Sequence, residues 1–441
     1  MRRRFAVITG LVISVLLLAL PAQASGSPVF NVFPLLRPGG SSENAISISG
    51  SGQMALTSLS WQEFGTNTWL GPFGSVPPFV GQFDANLAPG VGGGGDADVD
   101  LGSTGTLHLT SLIFFFNPVN KIKQLGVSSV ACPNADVSGN FAHCTSQIID
   151  TTQADRQWIT SRGAEVWIAY HDSGSSTTVH VQRSSDDGLT WHRVGDPIVG
   201  QGATTGASTF NSDNGPIVAD PSSNFLYDVF AAGTASVQKG TSANFNQVFV
   251  ARSGDGGLTW QTSRVFSAPS GTILNNVFPS LAVDPANGAV YATWSDRQTI
   301  WVSRSTDHGA TWGQRVAVSS APANTAVFPW LAARNGLVDV VYYGTTSSSK
   351  DSPTAVWNVY LSQSVDFGAT FTQSVISPHP NHVGPICTNG IACAPGTRNL
   401  LDLFEIDLTA AGKAGVIYTD DTLTTAADGS PLPQAVLAMQ A

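Results

Sequence analysis

Polar side chains able to hold a ligand come in tight groups at the edges of apolar runs: Asp155-Arg156, His171-Asp172, Asp296-Arg297, Asp402 close to Arg398, and Asp420-Asp421. Carboxylates and guanidiniums so placed offer acceptors and forked donors to a carbohydrate or a protein surface without requiring a reaction. The alternative is that they are solvated loop charges. Asp96, Asp98 and Asp100, behind a run of four glycines, present oxygens that suit a hard cation. The loop lacks the full EF-hand pattern, and we assign it no metal and the chain no cofactor. The cysteines fall as two close pairs, Cys132 with Cys144 and Cys387 with Cys393. Local disulfides are the natural pairing in an oxidising compartment, since neither pair has histidines at zinc-finger spacing.

The elements that must position these groups repeat. Ser184-Ser185-Asp186-Asp187-Gly188-Leu189-Thr190-Trp191 recurs as Ser253 to Trp260, Ser305 to Trp312 and Ser364 to Phe371, with the box aspartates Asp186, Asp255, Asp307 and Asp366 spaced by 69, 52 and 59 residues. Ser and Asp side chains accept bonds from nearby backbone N–H groups, Gly supplies a positive φ and the aromatic residue anchors the turn, so the box reads as a hairpin turn between antiparallel strands. Upstream of each box lie two more strand phrases, such as Leu281-Ala282-Val283 followed by Val290-Tyr291-Ala292-Thr293. Four strands per repeat make one blade of a β-propeller. Blades are expected at roughly 42–88, 93–131, 150–200, 210–267, 277–318, 327–376 and 397–441. That is seven, or six if the first unit is an appendage, in a single all-β domain over 25–441. Pro28 to Phe33 could supply the outer strand of the last blade.

Composition agrees with short strands and tight turns: 45 glycines, only 11% charged residues, four glutamates and five lysines in 441 residues. Arg2, Arg3 and Arg4 before an apolar stretch from Phe5 to Leu20, then Pro21 and Ala22-Gln23-Ala24, read as a signal peptide over 1–24. The arginines leave the twin-arginine route open beside the general secretory one. A secreted, extracellular or envelope protein is expected. No segment reaches the roughly 18 apolar residues of a membrane span. The net charge of −10 disfavours nucleic acid and anionic membrane as partners. An extracellular glycan or protein remains, and we expect a monomer.

The Ser-x-Asp-x-Gly-x-Thr-Trp box resembles the Asp-box, or bacterial neuraminidase repeat, of the sialidase-like propellers. The resemblance rests on motifs over about 150–376 and implies the propeller fold. It does not imply activity, because such boxes occur in enzymes and receptors alike. A sialidase-like mechanism uses a tyrosine nucleophile; in this family a glutamate assists it and three arginines clamp the substrate carboxylate. By that likeness Tyr418 and Glu405 are the nucleophile pair if the chain is an enzyme, with Arg156, Arg297 and Arg398 as the clamp. Tyr170, Tyr291 and Tyr342 occupy the same phase in other blades, so all four tyrosines can equally be packing residues. Arg183, Arg252 and Arg304 before the boxes, and Arg193, Arg264 and Arg315 after them, read as structural. The family's Arg-Ile-Pro phrase is missing. The favoured expectation is therefore a secreted, non-catalytic glycan- or protein-binding propeller; a sialidase-like hydrolase of acidic glycans and a structural or adhesive envelope protein are the alternatives.

Overall fold

The computed structural model describes residues 27–61, 64–116, 123–135, 139, 141–172, 178–198, 209–233, 245–274, 278–388 and 393–441. The expected leader lies outside them. Thirty strands form seven antiparallel sheets of four strands, two of which carry an extra short strand. In blade 1 the order is Ser41–Ile48, Gln53–Ser60, Asn67–Pro72 and Phe79–Gly81. The first strands of blades 2 to 7 are Ala97–Leu101, Ala154–Arg162, Thr209–Ala219, Ser280–Asp284, Thr325–Arg334 and Glu405–Leu408. Each first strand touches the first strand of the next blade, and that of blade 7 returns to blade 1. The protein is a seven-bladed β-propeller, with the first strands around its central channel.

The ring is closed by Phe30–Leu35, which pairs antiparallel with the C-terminal Pro431–Gln440 and becomes the outer strand of blade 7. Leu35, Ile46, Ile48, Met54, Ile417 and Leu437 fill the seam between blades 7 and 1. Burying such side chains is worth about 1.5–3 kcal/mol each, so the closing strand is held by packing as well as by its ladder.

The boxes form the turns between third and fourth strands of blades 3 to 6. In each, the serine hydroxyl accepts the glycine N–H and donates to the aspartate, which accepts both the N–H and the hydroxyl of the threonine. For Ser305, Asp307, Gly309 and Thr311 the four distances are 2.8, 2.7, 2.9 and 2.6 Å. The residue before each box glycine is also left-handed, as in Asp187, His308 and Phe367, a demand the motif does not advertise. The arginines ahead of the boxes reach the next blade's box. Arg252 donates to the carbonyls of Asp307 and His308, and Arg304 lies over the Phe367 ring. Blade 2 has no box, and there the disulfide Cys132–Cys144 closes the corresponding connection. The second disulfide, Cys387–Cys393, precedes the first strand of blade 7.

Candidate binding site at the channel mouth

The N-terminal ends of the first strands meet at one mouth of the channel. Four of these strands break register there: Thr209–Ala219 between Phe210 and Ile217, and three others with bulges between Ser42 and Ala45, Asp155 and Trp158, and Val327 and Trp330. The last three each hold a non-glycine residue in the left-handed region: Glu43, Arg156 and Phe328. Such residues are costly, and a bulge of this kind re-aims a side chain out of the alternation of its strand.

Glu43 and Arg156 meet as a result. The Arg156 guanidinium lies 3.4 Å from Glu43 and 3.2 Å from Asp96, and also binds Asp402. Its plane packs over the Phe278 ring, 4.7 Å from the centroid. Arg398 reaches Asp402 through Nε at 3.1 Å and through a second nitrogen, and lies 3.8 Å from Glu43. The Asp402 N–H donates to Glu43 at 3.2 Å. Arg398 is placed by the Cys387–Cys393 loop before it and by its neighbour Asn399, whose amide donates to Asp421. Asp155 turns one carboxylate oxygen back to the N–H of Arg156 at 3.0 Å.

The four carboxyl groups are not equivalent. Burial, with the Asp96 charge beside it, pushes Glu43 well above the usual carboxylate range. Burial raises Asp155 to about 6, with Asp96 adding to the effect. Burial opposes ionisation of Asp96 and Asp402 too, but Arg156 carries both below their ordinary values. Glu43 and Asp155 therefore hold a proton more readily than Asp96 and Asp402.

This network floors a cavity of about 530 Å³. Its wall is apolar: Leu59, Trp61, Phe64, Leu112, Phe114 and Leu125. Trp61 is 43% exposed and fixed by a bond from its indole N–H to Ser42 at 2.8 Å. Glycines 93–95 complete the wall, and at Gly93 and Gly95 the chain runs too close for a side chain. A Cβ on Gly93 would sit 1.9 Å from the Asp84 carboxylate, which is itself bonded to Thr66 and Ser111.

Of the residues anticipated from the sequence, Asp155, Arg156, Arg398 and Asp402 come together here. His171 faces Asp155 across the strand pair and is buried, and Asp172 lies opposite Ala154. Asp296 and Arg297 lie in the turn between the second and third strands of blade 5 and line a different cavity with residues 348–351. There Asp296 accepts the Trp301 indole N–H at 2.6 Å and the Thr299 N–H at 2.9 Å. Arg156 and Arg398 are thus joined by no third arginine from that turn.

Glu405 and Tyr418 do not face each other. Glu405 stands opposite Ile417 in the ladder, so the next residue, Tyr418, projects from the other face of the sheet. Tyr418 is fully buried, as are Tyr170, Tyr291 and Tyr342. Glu405 accepts the Ile46 N–H of blade 1 at 3.1 Å, and Asp407 accepts that of Ile48 at 2.6 Å. Asp98 accepts the Ile159 N–H of blade 3 at 2.8 Å. These channel carboxyls satisfy the exposed edge of the neighbouring first strand, a structural use. Among the described residues no group of three or more His, Cys, Asp or Glu is arranged to hold a metal. Asp96 instead meets Arg156, and Asp100 the Ser47 hydroxyl at 3.4 Å.

The sequence did not single out Glu43 or the aromatic wall. A signal for Glu43 existed: Glu43 stands three residues before Ile46 as Arg156 stands three before Ile159, at the same point of the strand phrase.

No family model matches the chain. No curated protein matches it either. Among solved structures it is similar to a protein of unknown function from Dyadobacter fermentans DSM 18053, at 12% identity over 93% of this chain and 99% of that one, TM-score 0.49. It is similar to the Hadza microbial sialidase Hz136, at 12% identity over 88% and 73%, TM-score 0.48. A Penicillium chrysogenum α-L-arabinanase matches at 11% identity over 94% and 97%, TM-score 0.45. Likenesses this distant carry nothing about activity, and the reading of function rests on the mouth itself. Among the described residues no helix is long and apolar enough to cross a membrane.

Proposed function

We propose that the protein is an exported propeller that binds a carbohydrate at the channel mouth and does no chemistry on it. The observation that carries this is the pairing of an exposed aromatic wall with a floor of ionic groups already bonded to one another. A sugar ring presents an apolar face to an aromatic side chain and hydroxyls to planar polar groups, which is the division of labour found here.

Two features weigh against hydrolysis. Glycosidases place two carboxyl groups about 5 Å or more apart with the scissile bond between them, whereas Glu43, Asp96 and Asp402 crowd one guanidinium. The tyrosine–glutamate alternative requires Tyr418 and Glu405 to meet, and they project from opposite faces of their sheet. The charge balance also weighs against an acidic sugar, because both guanidiniums are occupied by carboxylates. The two disulfides support export to an oxidising compartment.

Glycan-array binding that is lost in Trp61→Ala, at unchanged thermal stability, is the expected result. Turnover of aryl glycosides that disappears in Glu43→Gln would replace binding by catalysis.

A further inference from the structure

The mouth holds four carboxyl groups, Glu43, Asp96, Asp155 and Asp402, against two guanidiniums, Arg156 and Arg398. Full ionisation would leave the site two positive charges short. The protein makes up the difference with protons: Glu43 and Asp155 are the two groups whose acidity burial and the neighbouring Asp96 charge weaken. Glu43 is 1% exposed and lines the cavity beside the Asp96 carboxyl. Above this floor stand Trp61 and Phe64, both nearly half exposed, whose ring faces attract cations.

We propose that the ligand is an amino sugar whose protonated amine enters between the aromatic wall and the acid floor. The inference rests on the carbohydrate-binding reading above. The amine supplies the missing positive charge beside Asp96 and Asp155, and a proton leaves the site as it arrives. The groups facing Asp155 during that exchange are Asp96 and Arg156 beside it, Asp402 from blade 7 and His171 across the strand pair. A neutral or N-acetylated sugar would meet the same wall, displace no proton and gain no ionic contact with the floor.

Isothermal titration at pH 6 of fully deacetylated and fully acetylated chitooligosaccharides of equal length, in two buffers of different ionisation enthalpy, tests this. The deacetylated oligomer is expected to bind at least tenfold more tightly, with a binding heat that changes with the buffer because a proton is released. Asp155→Asn, which keeps the oxygen that accepts the Arg156 N–H, should erase both the preference and the buffer dependence. Equal affinity for the two oligomers overturns the amine and leaves carbohydrate binding standing. Binding of neither oligomer, with retention of other neutral glycans on the array, also overturns it, and silence of the array as well removes the reading beneath it. Binding of a lysine-rich peptide in preference to the deacetylated oligomer overturns the sugar in favour of a protein partner.

Discussion

The box turns at the rim and the carboxyl groups in the channel are both built from acidic side chains, yet their acidities are moved in opposite directions. A box aspartate is exposed or only half-buried and is surrounded by donors. Asp186, held by the Thr190 hydroxyl and N–H and by the Ser184 hydroxyl, is drawn down to about 2. The channel carboxyls are buried and meet only one or two backbone donors. Burial raises Asp98 to about 7 and Asp407 to about 6. What separates the two regions is the number of donors each carboxyl meets for the solvent it loses.

The largest effect should come from removing the charge that the mouth is built around. Arg156→Met leaves Glu43, Asp96 and Asp402 buried without their shared partner, and a loss of about 3–5 kcal/mol in denaturant unfolding is expected. A loss below about 1 kcal/mol would mean that the carboxyls reprotonate at little cost.

The pH dependence of stability is next, and its two limbs belong to the two regions. Asp98 and Asp407 have folded values above their unfolded ones, so their contribution is complete below about pH 4 and fades as pH rises through 6 and 7. The box aspartates have lowered values, so theirs is complete above about pH 4 and fades as pH falls toward 2. Stability should peak near pH 4–5 and fall by on the order of a few kcal/mol toward pH 8. Asp98→Asn should flatten the upper limb alone, and a profile unchanged by it would break the comparison.

A smaller loss attends Ser364→Ala in the blade 6 box. It removes the acceptor for the Gly368 N–H at 2.8 Å and a donor to Asp366 at 2.7 Å, and about 1–2 kcal/mol is expected in thermal unfolding. Ligand affinity should not change, since the box lies at the opposite end of the blade from the mouth. Trp61→Ala is the converse: affinity falls about tenfold, roughly one stacked aromatic contact, while the melting temperature stays within a degree or two.

The blades were legible because the box fixes chain phase four times over, and the strand phrases between boxes carry it to the rest. Blade 2 shows where this runs out. A disulfide takes the place of the box there, so the outer strand Thr145–Asp150 has no motif to announce it. At the mouth, Arg156, Arg398, Asp155 and Asp402 could be named because charged residues at strand ends are few. Glu43 was hidden because a bulge, invisible in the alternation of Ser41–Ile48, turns it into the channel. Asp296 and Arg297 resemble Asp155 and Arg156 as a dipeptide but follow a second strand instead of opening a first one. Only the pairing separates the two cases.

The closing sheet has a mechanical consequence. Phe30 pairs with Gln440 at the very end of the ladder, and the Ala441 N–H reaches the Val29 carbonyl at 2.9 Å, so both chain ends leave from the same corner. A force pulling those ends apart acts across that corner and opens the ladder one rung at a time, starting at the end farthest from Leu35 and its packing against blade 1. Under tension the propeller is a zip fastener, and the slider sits on blade 7.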